Sequence, residues 1–428
     1  MKRMKNLFSV IAATMIMIQG CADMLDVTPR SAIAPESVTL NDIMLLRIGM
    51  YNRVQELPQS ESYIMFDLLG GNLITKASID PLVLIYSFAN PQNSSVTAQW
   101  QGYYIALMHV NYVFSIAQKL PEGAQRNKVL GECHYFRAWL HLCLVTRFGD
   151  VPLMKENTDA HVFRTPASEV WSFIEEELSE AIRLLGAPTE GYYFLSADAA
   201  RALKARVALY LGNKKEAYEL AEALIANPGY DLDQYERIFR ARNNNELIFA
   251  FSCLETDNSK IRISTMFYSY NHPNSGSYLY PPALDVMTMY DDSDTRKDIS
   301  IITLDGLNSI NKYPSGQASN DPVVISRLAE MYLISAEAQG LQNGLPRLNA
   351  LRNRRGLPNV FPASEARFIE AILDERRREF LGENHLWYDL VRTGKAVEVL
   401  GILPYQTLLP IPARERAINK NLTQNDGY

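Results

Sequence analysis

Cysteine is scarce in this chain. Only four occur in 428 residues, and none stand as a CxxC pair, so neither a zinc site nor a dithiol redox motif is supported. Cys133 and Cys143 fall on one apolar stretch, about 15 Å apart along a helix axis. They cannot bridge each other and are expected as small buried hydrophobes. Histidine is nearly as sparse, at six. His134 and His141 share a helix face but stand ~10 Å apart along its axis, too far for one metal ion. They read as satisfied interior or groove histidines, and no metal site is expected. The sequence contains no HExxH, no GxSxG, no GxxxxGK[ST] and no strand–GxGxxG–helix unit, so no cofactor and no catalytic residue is assigned. A carboxylate pair of the glycosidase kind needs no fixed spacing, but no barrel or sheet is legible to hold one. Basic charge is not in excess either: 42 Lys and Arg face 48 Asp and Glu, a net charge of −6. That balance argues against nucleic acid as a partner.

No apolar run reaches the ~20 residues a membrane-spanning helix needs. The one near the start is shorter and differently flanked. Lys2, Arg3 and Lys5 precede an apolar run from Leu7 to Ile18, and Ile18-Gln19-Gly20-Cys21 follows. This reads as a bacterial lipoprotein signal over residues 1–20, with Cys21 the acylated N-terminus of the mature chain. The alternative is an ordinary secretory signal with a chance cysteine, but small residues sit directly before Cys21. Asp23 and Asp26 fit export to the cell surface.

What the chain has in quantity is helical periodicity. Leu195 to Tyr230 carries Ser196 as a helix cap, Ala202, Ala205, Val207, Ala208 and Leu209 at helical spacing, and Gly212 as a stop. A second helix restarts at once, with Ala217, Leu220, Ala221, Leu224 and Ile225 inward, and closes at Asn227-Pro228. Small contact residues, a glycine turn and a closing proline are what a tetratricopeptide hairpin of ~34 residues requires. One such hairpin cannot bury its apolar face alone, so others are expected to stack on it. Further helices are expected over Thr39 to Asn52, from Trp100 to Pro121, over Arg126 to Phe148, and from a Thr165 cap onward. Ile325 to Leu341 with Leu345 to Arg355 reads as a second hairpin, followed by Ser364 to Leu381 and Trp387 to Leu400. Leu247 to Phe251 reads as a short buried strand. The charged run Asp374 to Glu379 is taken as a solvated, internally paired helix face, with Asp374 and Arg378 at i,i+4. Asp294 and Arg296 read as a structural pair that pins a turn. The fold class is therefore mainly α: about four helix pairs in one domain over residues 21–428.

Two long stretches lack that periodicity, about residues 57–99 and 255–322. Both are rich in turn residues and in tyrosine, of which the chain has 23. Long non-periodic stretches in a compact domain are usually functional or disordered, and the aromatics argue against disorder. A tyrosine ring offers an apolar face to a sugar or a peptide side chain while its hydroxyl can hydrogen-bond. The candidate ligand contacts are Tyr63, Tyr86, Tyr268, Tyr270, Tyr278 and Tyr280, with Asp67, Asn90, Asn271 and His272 as polar partners. Some of these rings are expected instead to pack the loops onto the scaffold.

Several ordered motifs resemble the SusD/RagB family of nutrient-binding outer-membrane lipoproteins. They are Cys21-Ala22-Asp23-Met24-Leu25-Asp26-Val27-Thr28-Pro29, Phe136-Arg137-Ala138-Trp139 running on to Arg147-Phe148-Gly149-Asp150-Val151-Pro152-Leu153, and Ile325 to Ala338. Asn349-Ala350-Leu351-Arg352, Asp374 to Phe380, Trp387 to Arg392, Leu409-Pro410-Ile411-Pro412 and Gln424 to Tyr428 follow in the same order. Leu386 departs from the pattern, where an arginine often precedes the tryptophan. The resemblance covers essentially all of the chain after the signal. It implies tetratricopeptide-like pairs cradling a loop-rich half, and a non-enzymatic role. Such a protein sits on the cell surface as the lid of a SusC-like TonB-dependent β-barrel transporter, captures an oligosaccharide or a peptide, and delivers it. Rival readings are peptide in place of glycan, and a structural lid or adaptor with no ligand of its own.

Overall fold

The computed structural model describes residues 38–428, apart from 242, 254–260, 270, 272 and 274. Cys21 with its signal, Tyr270 and His272 lie outside the described residues. The first helix, α1 (Leu40–Glu56), opens on a reciprocal cap: the Thr39 hydroxyl accepts from Asp42 N–H, and the Asp42 carboxylate accepts from Thr39 N–H at 2.9 Å. This satisfies two of the donors that a helix start leaves open. Residues 57–99 then form two short helices, α2 (Met65–Leu69) and α3 (Leu82–Phe88), separated by turns. The long α4 (Ser94–Lys119) begins six residues before Trp100, because the Asn93 side chain caps it by accepting from Val96 N–H.

Helix α5 (Ala124–Phe148) is buried on almost every side from Val129 onward. It packs between α4 and α6 (Ala167–Leu184), the latter starting after Pro166. Thr165 does not cap it; its backbone is bridged to Val151 instead. A helix apolar all round belongs in the middle of a bundle, and α5 carries several paired polar groups inward. Glu132 accepts from Arg47 at 2.6 and 2.7 Å and from Tyr51 Oη. Arg147 spreads over the Phe66 ring, 4.5 Å from its centroid.

The stack continues through α7 (Ala197–Tyr210) and α8 (Lys214–Ile225). Ser196 Oγ accepts from Ala199 N–H, and Gly212 takes φ +77° in the turn. Ala205, Ala208 and Ala217 are buried to within 1% where the two backbones meet. The short α9 (Tyr235–Arg240) leads into β1 (Leu247–Phe251).

Ile325 to Arg327, expected as the start of a helix, belong to a strand. β4 (Val323–Arg327) pairs antiparallel with β1, and all ten residues of the two strands are buried. β-branched side chains buried on both faces suit a strand. Helix α10 (Leu328–Arg354) follows, broken into two arms at Gly340, φ +71°. Its first arm packs on α8, and α11 (Glu365–Glu379), α12 (Leu386–Arg392) and α13 (Ala396–Leu400) follow. Within 255–322, β2 (Ile301–Leu304) and β3 (Leu307–Ile310) form a hairpin across Asp305-Gly306. Both turn residues have positive φ, as a two-residue turn of this hand requires. Among the described residues no helix is long and apolar enough to cross a membrane.

Candidate functional site

The two non-periodic stretches lie against each other. Ile74 N–H donates to Pro281 C=O at 2.9 Å, Ala283 N–H to Asn72 C=O at 2.9 Å, and Leu73 and Pro282 form an antiparallel bridge. Arg262 N–H donates to Ser60 Oγ, and Tyr280 Oη donates to Glu61 Oε1 at 2.5 Å. This seam is what any ligand surface on the loop half would be built around.

Both stretches are fastened to one element, the C-terminal end of α11 and the turn after it. On the 255–322 side the fastening is ionic and buried. Arg296 is paired with Asp294, Glu375 and Glu379. Lys312 is paired with Glu383, and Arg327 reaches Glu246, Glu379 and Glu383. Arg355 adds pairs to Glu246 and Glu379. The neighbouring arginines hold the Glu379 carboxyl well below the usual carboxylate range despite its burial. The charged run of α11 is thus no solvated face: Glu375, Arg376 and Glu379 are buried and bind other elements, and Arg378 donates to Met289 C=O. The Asp294–Arg296 pair does pin its turn, at 2.8 Å.

On the 57–99 side the fastening is Asp67. It is fully buried and accepts from Gly382 N–H, Asn384 N–H and Asn72 Nδ2 at 2.8–2.9 Å. Asp67 is therefore a brace and is withdrawn as a ligand contact. Tyr63 is withdrawn too, because its ring stacks on Trp139 in the core and its hydroxyl donates to Gln55 C=O. Tyr268 is equally buried, its hydroxyl donating to Asn311 Oδ1. In each case a ring or carboxylate on a loop found internal partners because the loop is packed down onto helices.

The five remaining candidates keep some access. Tyr86 is 50% exposed on α3. Tyr278 and Tyr280 are half-buried; the former donates to Asn308 C=O at 3.0 Å. Burial, reinforced by Glu61, pushes the Tyr280 hydroxyl pKa well up, so it acts as a neutral donor. Asn90 is exposed and accepts from Gln92 N–H. Asn271 is exposed in a turn. His134 meets Glu177 at 3.0 Å, and His141 is buried with both ring nitrogens engaged.

An open groove of about 520 Å³ joins the two stretches to the helices. Gly70, Gly71, Leu82 and Ile85 from the first stretch, Asp285 from the second, and Leu386, Leu390 and Leu400 line it. Its rim carries Glu370, Asp374, Arg377 and Lys395, with Arg377 paired to Asp285 at 2.6 Å. Tyr86 sits one helical turn beyond Leu82, and positions four apart share a helix face. None of the groove's own residues was expected from sequence as a ligand contact. They come from five separated segments, and only the tyrosine beside them gave a local signal. Among the described residues, no group of three His, Cys, Asp or Glu side chains could hold a metal ion.

A family model described as "SusD family" matches residues 287–405, and one described as "Starch-binding associating with outer membrane" matches residues 23–209. The chain belongs to the SusD family. A SusD-like protein of Formosa agariphila, P38, is 24% identical over the full length of both chains. Among solved structures, a laminarin-binding SusD-like protein superposes with TM-score 0.77 at 24% identity, covering 91% of this chain and 99% of that one. Surface glycan-binding protein A from Bacteroides thetaiotaomicron, solved with laminarihexaose, gives TM-score 0.79 at 21% identity, covering 91% and 100%. At these identities the likeness shows that the SusD fold is shared.

Proposed function

We propose that this SusD-family chain is a lipoprotein, anchored in the outer membrane through Cys21 and exposed at the cell surface, that captures a nutrient glycan. It then delivers the glycan to a SusC-like TonB-dependent β-barrel transporter. The observation that carries the reading is the exposed Tyr86 ring beside a groove built jointly by the two loop stretches. A flat ring next to a concave, partly apolar surface suits the C–H face of a sugar. The laminarin-binding protein and the laminarihexaose complex among the structural relatives support glycan as the ligand class.

A second reading is peptide capture, favoured by the groove's leucine floor and its mixed charged rim, which suit apolar side chains and chain termini. The third, a lid without a ligand, is disfavoured by the exposed ring. Binding, not catalysis, is the proposed activity. Calorimetry on the chain lacking residues 1–21, against glycans and peptides, tests these readings together. Tyr86→Ala is expected to weaken glycan binding by about 1–3 kcal/mol, the value of a stacked ring lost from a binding surface. Undiminished glycan affinity in that variant sinks the groove as the site, and hydrolysis products in the same cell overturn the non-enzymatic assignment. Cys21→Ala is expected to release the protein from the membrane fraction, and recovery of the β-barrel with the wild-type chain tests delivery.

A further inference from the structure

A separate pocket of about 250 Å³ shares no residue with the groove. It lies between Tyr193, the end of α9 at Phe239–Ala241, and the segment 314–322. Two opposite charges sit in its wall without pairing to each other. Arg240 donates through Nη2 to Asn311 C=O at 2.6 Å, while Nη1 is shielded from water and has no hydrogen-bond partner among the described residues. Asp321 is 8% exposed, and its Oδ2 accepts from the N–H and hydroxyl of Ser315. A shielded guanidinium N–H without an acceptor is uncommon and gains from any movement that brings one within reach.

The chemistry of the wall narrows the occupant. Asp321 disfavours an anion and Arg240 disfavours a cation, so a neutral molecule is selected. That molecule must accept from the guanidinium and donate to the carboxylate. A vicinal diol does both from adjacent carbons. Pro314, Pro322 and the half-buried Tyr193 supply apolar surface for a C–H face. The segment carrying Asp321 is held in shape beforehand: Gly316 N–H donates to Ser264 Oγ at 2.6 Å, and Asn320 N–H to Ser315 Oγ at 2.8 Å. Less ordering is then left for the ligand to induce.

We propose that this pocket is a second sugar site, taking one neutral hexose ring by its vicinal hydroxyls, independently of the groove. Saturation-transfer NMR with methyl hexopyranosides on the chain lacking residues 1–21 tests it. The wild type is expected to show binding that Asp321→Asn and Arg240→Gln each weaken at least tenfold, and that Tyr86→Ala leaves unchanged. Because Arg240 also holds Asn311, a third variant guards against misfolding. Ala241 lines the pocket, so Ala241→Trp fills it while leaving both charged side chains in place; it is expected to abolish hexoside binding with an unchanged melting temperature. Hexoside binding that survives Ala241→Trp, or that is lost with Tyr86→Ala, overturns the second site. So does the absence of signal from every neutral hexoside.

Discussion

His141 sits in the middle of α5 as a neutral imidazole. Nδ1 donates to Arg137 C=O at 2.7 Å and Nε2 accepts from Met154 N–H at 3.3 Å. Burial pushes its pKa down to about 4 from 6.5. A depressed value means that the unfolded chain binds the proton first, so the stabilisation is complete above pH 6.5 and drains away as pH falls towards 4. At ~1.4 kcal/mol per unit this is about 3 kcal/mol. His385 is shifted the same way by burial and by the surrounding cations. Buried Glu132 and Asp67 are shifted up by burial and oppose the trend, so the diagnostic quantity is a difference. Urea midpoints measured from pH 7 to 4 should fall less steeply in His141→Gln than in wild type, and parallel curves would refute the assignment. Glu379 gives the complementary case. The cluster around it balances Arg296, Arg327, Arg355, Arg352 and Lys312 against Asp294, Glu246, Glu375, Glu379 and Glu383. Glu379→Gln removes one carboxylate and strands a buried positive charge, which costs about 3–5 kcal/mol. Chemical denaturation showing less than 1 kcal/mol lost would mean that water enters the cluster.

At the scale of elements, close backbone approach decides what a sequence permits. Beyond the break at Gly340, the second arm of α10 brings Gly344 onto the end of the first. A Cβ there would lie 1.9 Å from Ala336 C=O. Gly344→Ala must therefore push the arms apart, at about 1–3 kcal/mol or more, read as a lowered melting temperature. An unchanged melt would mean the arms are loosely held. The arms, the α7–α8 hairpin and the β1 strand were all legible, because periodicity, caps and glycine stops are local signals. The β2–β3 hairpin was also written locally, as Asp305-Gly306 between Ile301-Ile302-Thr303-Leu304 and Leu307 onward, yet the surrounding prolines and glycines obscured it. Ile325 to Arg327 carried the opposite trap: three residues continuous with a strong helical pattern form a strand, since β1 offers them a partner about eighty positions away in the chain. The run 374–379 was unreadable for a similar reason. Its i,i+4 pairs look self-sufficient, and nothing local reveals that Glu379 faces three arginines from other segments.

For the molecule as a whole, the consequence is that the loop half is not a pair of free excursions. Asp67 and the Glu379–Glu383 cluster tie both stretches to the same short piece of chain, and the seam of Leu73–Ile74 with Pro281–Pro282 closes between them. The sequence could suggest which residues belong on a sugar-binding surface but not which of them the scaffold would claim. Tyr63 and Asp67 were claimed, whereas Tyr86 was left exposed. This division makes a testable contrast. Asp67→Asn presents an amide donor where three donors already converge, leaving buried N–H groups without an acceptor at about 1–3 kcal/mol. The loss should be felt at the seam first, because Asn72, one of the three donors, also receives Ala283 N–H on its carbonyl. Hydrogen exchange at the Ile74 and Ala283 amides should accelerate more than at β1, and glycan affinity should fall with it. In Tyr86→Ala the same amides should exchange at the wild-type rate while affinity falls alone. If Asp67→Asn instead loosens β1 and the seam equally, the brace acts on the whole fold and the loop half has no rigidity of its own to lend to binding.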